Sequence, residues 1–525
     1  MHEQAGQLGI GPVLKAYAAA PNAQGVLLVP AAAVLSHWIG AGRMTCLSLN
    51  FALFVLAQAA VVWAVHRRSR SVPGALFAGG LMLAAGFTFM DAGGVLDFRL
   101  DFAASCLYAV LLSAVVGTDF LAQRWGLWPV VGSAVLFAAT RFIGTVYIVG
   151  IGLVEGGGYA WLAWRERGQN TSAAIARRHR CRYGVWAGIA FGVAMGPLLW
   201  YHRHAIFDYY GIGHVLGPER WVREQEQGIA GIASVLAYYP RSVGFDHLGG
   251  AFWQLAALGL GALGALRLTA RGQAGGASDK EARLPVTSWL TLAAFGAVPG
   301  LVLTLNAVKS PVVGSVLVAP VVFILALWFA QLARDRVQSA LVLLVAAVVL
   351  GGGWLAFAVR ASARETHAFH PGYSQAINAL YGEIVRQADV RGLARPRLAF
   401  LTVDDALLSS ALNVWVYENT GRLFEARSVL GGTIMEATPA QIMAGLDTAD
   451  MVILPDRPLP GSYPFHVSVR QNFDAITAYC RRTMVPVSQV TLPRCTLTLC
   501  VKRPAAESVQ STEGPPPSGS GVVSR

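Results

Sequence analysis

The chain has 525 residues, 54% of them hydrophobic and 13% charged, with a mean hydropathy of +0.49; it repeatedly runs apolar for about twenty residues, enough to cross a bilayer core. A formal charge of +12 invites a nucleic-acid reading, but the basic residues cluster in short loops between apolar runs, as membrane topology dictates, and this excludes it. Six cysteines are spread along the chain without metal-ligand spacing.

Residues 1–43 read as an outer segment with a helix over 24–39 that carries Pro30 and His37 and lies at the membrane interface. Residues 44–360 form a multi-helix transmembrane domain. Its spans are expected near 44–65, 74–95, 103–121, 127–140, 144–163, 183–201, 250–268, 287–306, 312–333 and 337–358, about ten helices. Loops 66–70, 122–126, 164–182, 267–285 and 333–336 are basic and fall at every second connection, so they read as cytoplasmic. The outer loops are then DAGGVLDFRLDF (Asp91 to Phe102), the bend around Arg141, the long polar stretch 201–247, and 305–311. Residues 361–504 switch to strands alternating with helices, the pattern of a soluble α/β domain on the outer face. The Ser-, Gly- and Pro-rich 505–525 reads as a disordered tail.

One face thus collects most of the side chains capable of chemistry. Asp97, Arg99 and Asp101 alternate, so in an extended loop they share a face and line one wet cavity; the bland alternative is a solvated loop with internal pairing. Arg141 stands between apolar runs with no polar loop around it, which points to a cavity or a counter-charge. Lys309, beside Pro311, is either an anion-binding cation or a snorkelling lysine. The 201–247 stretch interleaves His202, His204, Asp208, Tyr209, Tyr210, His214, Arg223 and Glu224, a mixture suited to carbohydrate, whose faces stack on rings while its hydroxyls bind polar groups. An interfacial aromatic belt is the plainer reading of its tyrosines. A zinc site on His202, His204 and His214 is disfavoured by the i, i+2 spacing, so a divalent metal stays the minor alternative and no cofactor is assigned with certainty. In the α/β domain, Asp404, Asp405 and Asp456 sit at strand ends, but no nucleophile motif or Gly-rich phosphate loop accompanies them, and acceptor docking suits them better than catalysis.

The outer helix near the N-terminus, the Asp-x-Arg-x-Asp loop after the second long run, the Lys-x-Pro loop and the outer soluble domain together resemble the GT-C class of integral-membrane glycosyltransferases, among them the protein O-mannosyltransferases and the aminoarabinose transferase of lipid A. The resemblance covers about two thirds of the chain and implies a polyprenyl phosphate sugar as donor, a lipid, glycan or protein as acceptor, and an inverting transfer at the periplasmic face of a bacterial inner membrane. It also implies an acidic general base in the first outer loop, where Glu3 is the carboxylate present, with one further helix expected upstream of Met1. On that reading Glu3, Asp97 and Asp101 are the catalytic candidates, Arg99, Arg141 and Lys309 hold the donor phosphate, and His204, Asp208, Tyr209, His214 and Arg223 receive sugar or acceptor. A lipid-linked saccharide transporter needs similar groups but calls for inverted repeats, which are not evident in the sequence. A non-catalytic scaffold descended from the enzyme is the third reading.

Overall fold

The computed structural model describes residues 11, 15, 17, 22–40, 42–88, 94–95, 98–166, 168, 171–216, 223–224, 228–249, 286–307, 309–332, 371–401, 409–422, 424–428, 438–458, 464–492 and 495–503. It divides into two compact units, Met1–His367 and Ala368–Arg525. Glu3, Asp91, Asp97, Asp404 and Asp405, and the expected spans 250–268 and 337–358, lie outside the described residues.

The first unit is helical. A short apolar helix, α1 (Leu28–Ile39), precedes α2 (Arg43–Ser69), α3 (Val72–Ala84), α4 (Leu100–Gly117), α5 (Leu127–Thr140), α6 (Ile143–Arg165) and α7 (Ser172–Ile206). Six helices among the described residues are long and apolar enough to cross a membrane: those beginning at Met44, Leu100, Ile143, Ala174, Thr287 and Pro311. The helix starting at Leu100 is the central one, 83% of its apolar window being buried. Small residues permit this packing: Ala57, Val61 and Ala64 of α2 are fully buried, and a Cβ on Gly117 would lie 2.2 Å from the Trp63 ring. At the other extreme, Val185, Trp186, Ile189 and Val193 on α7 are exposed, an apolar surface that only lipid would cover.

Three expectations are corrected here. The run 74–95 yields only the 13-residue α3 and a 3₁₀ turn, Gly86–Thr88, among its described residues. The polar stretch 201–247 does not begin as a loop, because α7 continues through Ile206 into a π-helical segment, Phe207–Leu216. Its Tyr and His rings pack on one another and on the bundle, which rewards helical backbone that the polar composition alone argues against. Lastly, Arg99 and Asp101 do not share one extended segment. Arg99 is the extended residue before α4, while Asp101 already lies in its first turn, where a carboxylate suits the positive end of the helix dipole.

Further on, α8 (Ile232–Ser242) runs into a π-helical turn, Val243–His247. After it come α9 (Val286–Leu305), two short turns, Pro311–Gly314 and Ser315–Leu317, and α10 (Val318–Leu332). The Tyr108 hydroxyl donates to Phe295 O at 2.5 Å and Ser105 bonds Ser315 at 2.5 Å, tying the middle of α4 to α9 and to the turn after Lys309.

The second unit is a layered α/β domain: α11 (Pro371–Val390), β1 (Arg397–Phe400), α12 (Ser409–Thr420), β2 (Glu425–Ser428), α13 (Pro439–Asp447), β3 (Met451–Pro455), α14 (Pro464–Gln471), α15 (Phe473–Thr483), β4 (Met484–Thr491) and β5 (Thr496–Lys502). The strand order is β2-β1-β3-β5-β4, parallel through β2-β1-β3 and antiparallel beyond. Every residue of MVILP in β3 is buried, as a central strand covered on both faces must be. Ile384 and Val416 pack with Phe400 and Ile453 on one side, and Ile442, Ile476 and Cys480 with Ala399 and Val452 on the other. The expected capping box at α13 is present, Thr438 accepting from Gln441 N. Strand β4 is not evident from the sequence because Pro486 interrupts its alternation; it is tolerated because β4 is an edge strand with a register shift at Pro486/Ser488.

Candidate functional site

The ends of the helical unit differ in chemistry. At one end the connections expected to be cytoplasmic come together: Arg68 and Arg180 both approach Asp119, and Arg177 pairs with Glu166 at 2.5 Å. At the other end the expected outer segments converge, and the candidate site lies there.

Its centre is an ion pair between Arg141 Nη2 and Asp101 Oδ1 at 3.0 Å, the side chains being only 14% and 15% exposed. Arg141 occupies the bend between α5 and α6, in extended backbone after the last turn of α5. Burial by itself would lower its pKa, but Asp101, followed by Tyr210, Tyr209 and Tyr147, holds the guanidinium above its ordinary value. It is a fixed cation in a shielded place, with a fork suited to carboxylate or phosphate.

A segment near the N-terminus clamps the bend. Val26 N and Leu27 N donate to Ala139 O at 2.8 and 3.1 Å, and Phe142 N donates to Gln24 O at 2.7 Å. Asn22 Oδ1 accepts from Gln24 N and Gly25 N, forming the turn. Gly25 lies so close that a Cβ would stand 2.0 Å from Thr140 O. The same segment reaches α7, with Gln24 Nε2 donating to Tyr209 OH at 3.0 Å and Asn22 N to His202 Nδ1 at 3.3 Å.

On the π-helical segment, Tyr209 and His214 stand edge to face, 4.6 Å between centroids, and Tyr210 lies 6.0 Å from His214. His214 O accepts from Ala307 N at 2.8 Å, joining this segment to the Lys309 loop. Lys309 is 2% exposed, and its Nζ donates to Leu303 O (3.0 Å), Thr304 O (2.6 Å) and Asn306 O (2.5 Å), capping α9. Burial and then Arg223 pull its ammonium down to about 8. Nζ also lies 5.6 Å from the Tyr239 ring, which faces Gly314, where a Cβ would meet it at 3.1 Å. His247 binds Pro311 O through Nε2 at 2.8 Å.

The structure therefore brings Asp101, Arg141, Tyr209 and His214 into one region, with Lys309 and Arg223 along its margin, Arg223 pairing with Glu224 at 2.9 Å. Arg99 is half-buried at the start of α4, whereas His204 and Asp208 stand exposed on α7 and its extension. Tyr147, Tyr239, Asn22 and Gln24 escape sequence reading. Tyr147 hides inside an apolar run, six residues after Arg141, and the others carry no signal until the chain folds. Among the described residues no group of three or more His, Cys, Asp or Glu could hold a metal ion.

Chemically, the region offers a shielded guanidinium, a second cation near it, and hydroxyl and imidazole groups on aromatic rings. This suits an anionic group with a polar, ring-stacking substituent.

Compared with the crystal structure of ArnT from Cupriavidus metallidurans bound to undecaprenyl phosphate, the chain has a TM-score of 0.55 and 11% sequence identity, over 94% of this chain and 89% of that one. For ArnT from the same organism in the apo state the values are 0.49 and 12% over the same shares. No family model matches the sequence, and no curated protein matches it. The first likeness establishes the fold, which is that of ArnT: a mostly helical chain with several helices apolar enough to cross a membrane and a small C-terminal sheet.

Proposed function

We propose that the protein is a glycosyltransferase that moves a sugar from a polyprenyl phosphate-linked donor to an acceptor on the outer, periplasmic face of a bacterial inner membrane. The observation that carries this reading is the shielded Asp101–Arg141 pair at one end of a GT-C-type bundle. A neighbour in fold has been solved with undecaprenyl phosphate, and a guanidinium held charged at a membrane boundary is what a phosphate leaving group requires.

In this mechanism the acceptor hydroxyl oxygen bonds to the anomeric carbon as the bond from that carbon to the phosphate oxygen breaks. The hydroxyl proton passes to a carboxylate, and polyprenyl phosphate departs with the electron pair. Arg141, joined by Arg99 and Lys309, offsets the charge growing on the phosphate. Asp101, engaged by Arg141, orients the guanidinium; Glu3 and Asp97 are then the carboxylates for the proton. Tyr209, His214, His204, Asp208 and Arg223 receive the sugar and acceptor.

The test is transfer of label by purified full-length protein from a radiolabelled polyprenyl phosphate sugar to membrane acceptors. Arg141→Gln should lower transfer by about 100-fold or more, the scale of losing one preorganised charge contact in a transition state. Undiminished transfer in that variant overturns the site, and no transfer by the wild type from any polyprenyl phosphate sugar overturns the function.

A further inference from the structure

The opposite end of the bundle holds a second arrangement that sugar transfer does not use. Along α4 it lies about 27 Å from Asp101, one helix length away. Arg68, from the last turn of α2, and Arg180, from the early turns of α7, both direct Nη2 at Asp119 Oδ1, at 3.6 and 3.5 Å. Charge-assisted contacts normally close to about 2.7–2.9 Å. One carboxylate oxygen is therefore shared between two guanidinia and serves neither well. Arg180 is 7% exposed and lies over the Phe120 and Tyr159 rings, 5.8 Å from each centroid. The Nε groups of both arginines are buried without a hydrogen-bond partner, a costly condition for a cationic donor. Asp119, by contrast, is 38% exposed and can swing into water.

The surroundings define the depth. Trp125, Trp128, Trp161 and Trp164 are all exposed at this end of the bundle, and tryptophans of this kind mark the headgroup layer. Arg67 stacks over Trp125 at 4.7 Å from its centroid. The arginines thus sit where lipid phosphates lie.

We propose that Arg68 and Arg180 form a binding site for the phosphate of an anionic phospholipid in the leaflet opposite the candidate active site, with Asp119 as the carboxylate that phosphate displaces. A phosphate offers several oxygens and serves both forks at once, which Asp119 Oδ1 does not. Basic pockets between transmembrane helices bind such headgroups for this reason.

The test is native mass spectrometry of the full chain released from vesicles of phosphatidylcholine mixed with phosphatidylglycerol. The wild type should retain phosphatidylglycerol in preference to phosphatidylcholine. Arg68→Gln and Arg180→Gln should each weaken that preference by about fivefold, the worth of one basic residue near an anionic surface. Asp119→Asn, which removes the competing carboxylate, should strengthen it, and Arg203→Gln, an exposed arginine of α7 lying over the Trp200 ring, should leave it unchanged. Equal retention of the two lipids by the wild type overturns the proposal without recourse to any variant. Loss of bound phosphatidylglycerol to inorganic phosphate at equal concentration assigns the site to free phosphate and overturns the lipid.

Discussion

Removing one partner of the Asp101–Arg141 pair is the most direct test of the site's architecture. At 3.0 Å and an effective dielectric of about 20, two unit charges attract by about 5–6 kcal/mol. The side chains are 14% and 15% exposed, so solvent screens little of that. Asp101→Asn keeps the shape and deletes the charge, leaving a shielded guanidinium without its counterion, and breaking such a pair costs about 3–5 kcal/mol. Arg141→Gln strands the carboxylate in the same way. The double variant strands neither, so it should cost little more than one single variant, giving a coupling energy of about 3 kcal/mol. Unfolding of the full chain in bicelles, titrated with dodecyl sulfate for wild type, both single variants and the double, reads this directly. A coupling below about 0.5 kcal/mol, the scatter of independent sites, would refute the claim that the pair is shielded and organises the bend.

Other consequences follow from particular residues. Lys309 is held down to about 8 by burial and Arg223, against an ordinary 10.5; between those values the unfolded chain binds a proton that the folded chain lacks, so stability should rise with pH across that window and Lys309→Met should flatten the rise. Affinity for a polyprenyl phosphate should run the opposite way, falling as pH passes about 8 and the cation discharges. Gly25→Ala places a methyl group 2.0 Å from Thr140 O and should destabilise the unit by about 2 kcal/mol, seen as a lowered unfolding midpoint; an unchanged midpoint would show that the clamp is loose. Thr438→Ala removes the capping box of α13 and should speed hydrogen exchange in that helix in proportion to about 1 kcal/mol. Cysteines introduced at positions 99 and 178 should react with impermeant reagents from opposite sides of the membrane, and labelling from one side would contradict the grouping of loops at the two ends.

Part of this site is legible in the sequence because charge in a membrane carries information. Arg141 stands out because an arginine amid apolar residues needs a partner, and Asp101 is conspicuous for the same reason; that the two are each other's partners is not written in either segment, since forty residues separate them. Lys309 is a different case. Its neighbours mark it as a cation at a membrane boundary, but that its ammonium also donates to the carbonyls of Leu303, Thr304 and Asn306 is set by how the chain turns after Leu305. The His- and Tyr-rich stretch misleads as to backbone because polar composition argues for loop, whereas ring packing between Tyr209, Tyr210 and His214 holds it in helical form.

Composition and periodicity alone determine that the chain is a membrane protein with a layered α/β domain behind it, because bilayer thickness and backbone hydrogen bonding leave few ways to arrange runs of this length and polarity. Tertiary structure decides which charges meet. Asn22 and Gln24 gain their role only when the segment closes over Arg141, and Arg68, Asp119 and Arg180 become a cluster only when three helix ends converge. Hydrophobicity is a property each residue carries along the chain, whereas a shielded ion pair exists only once distant segments share a dielectric.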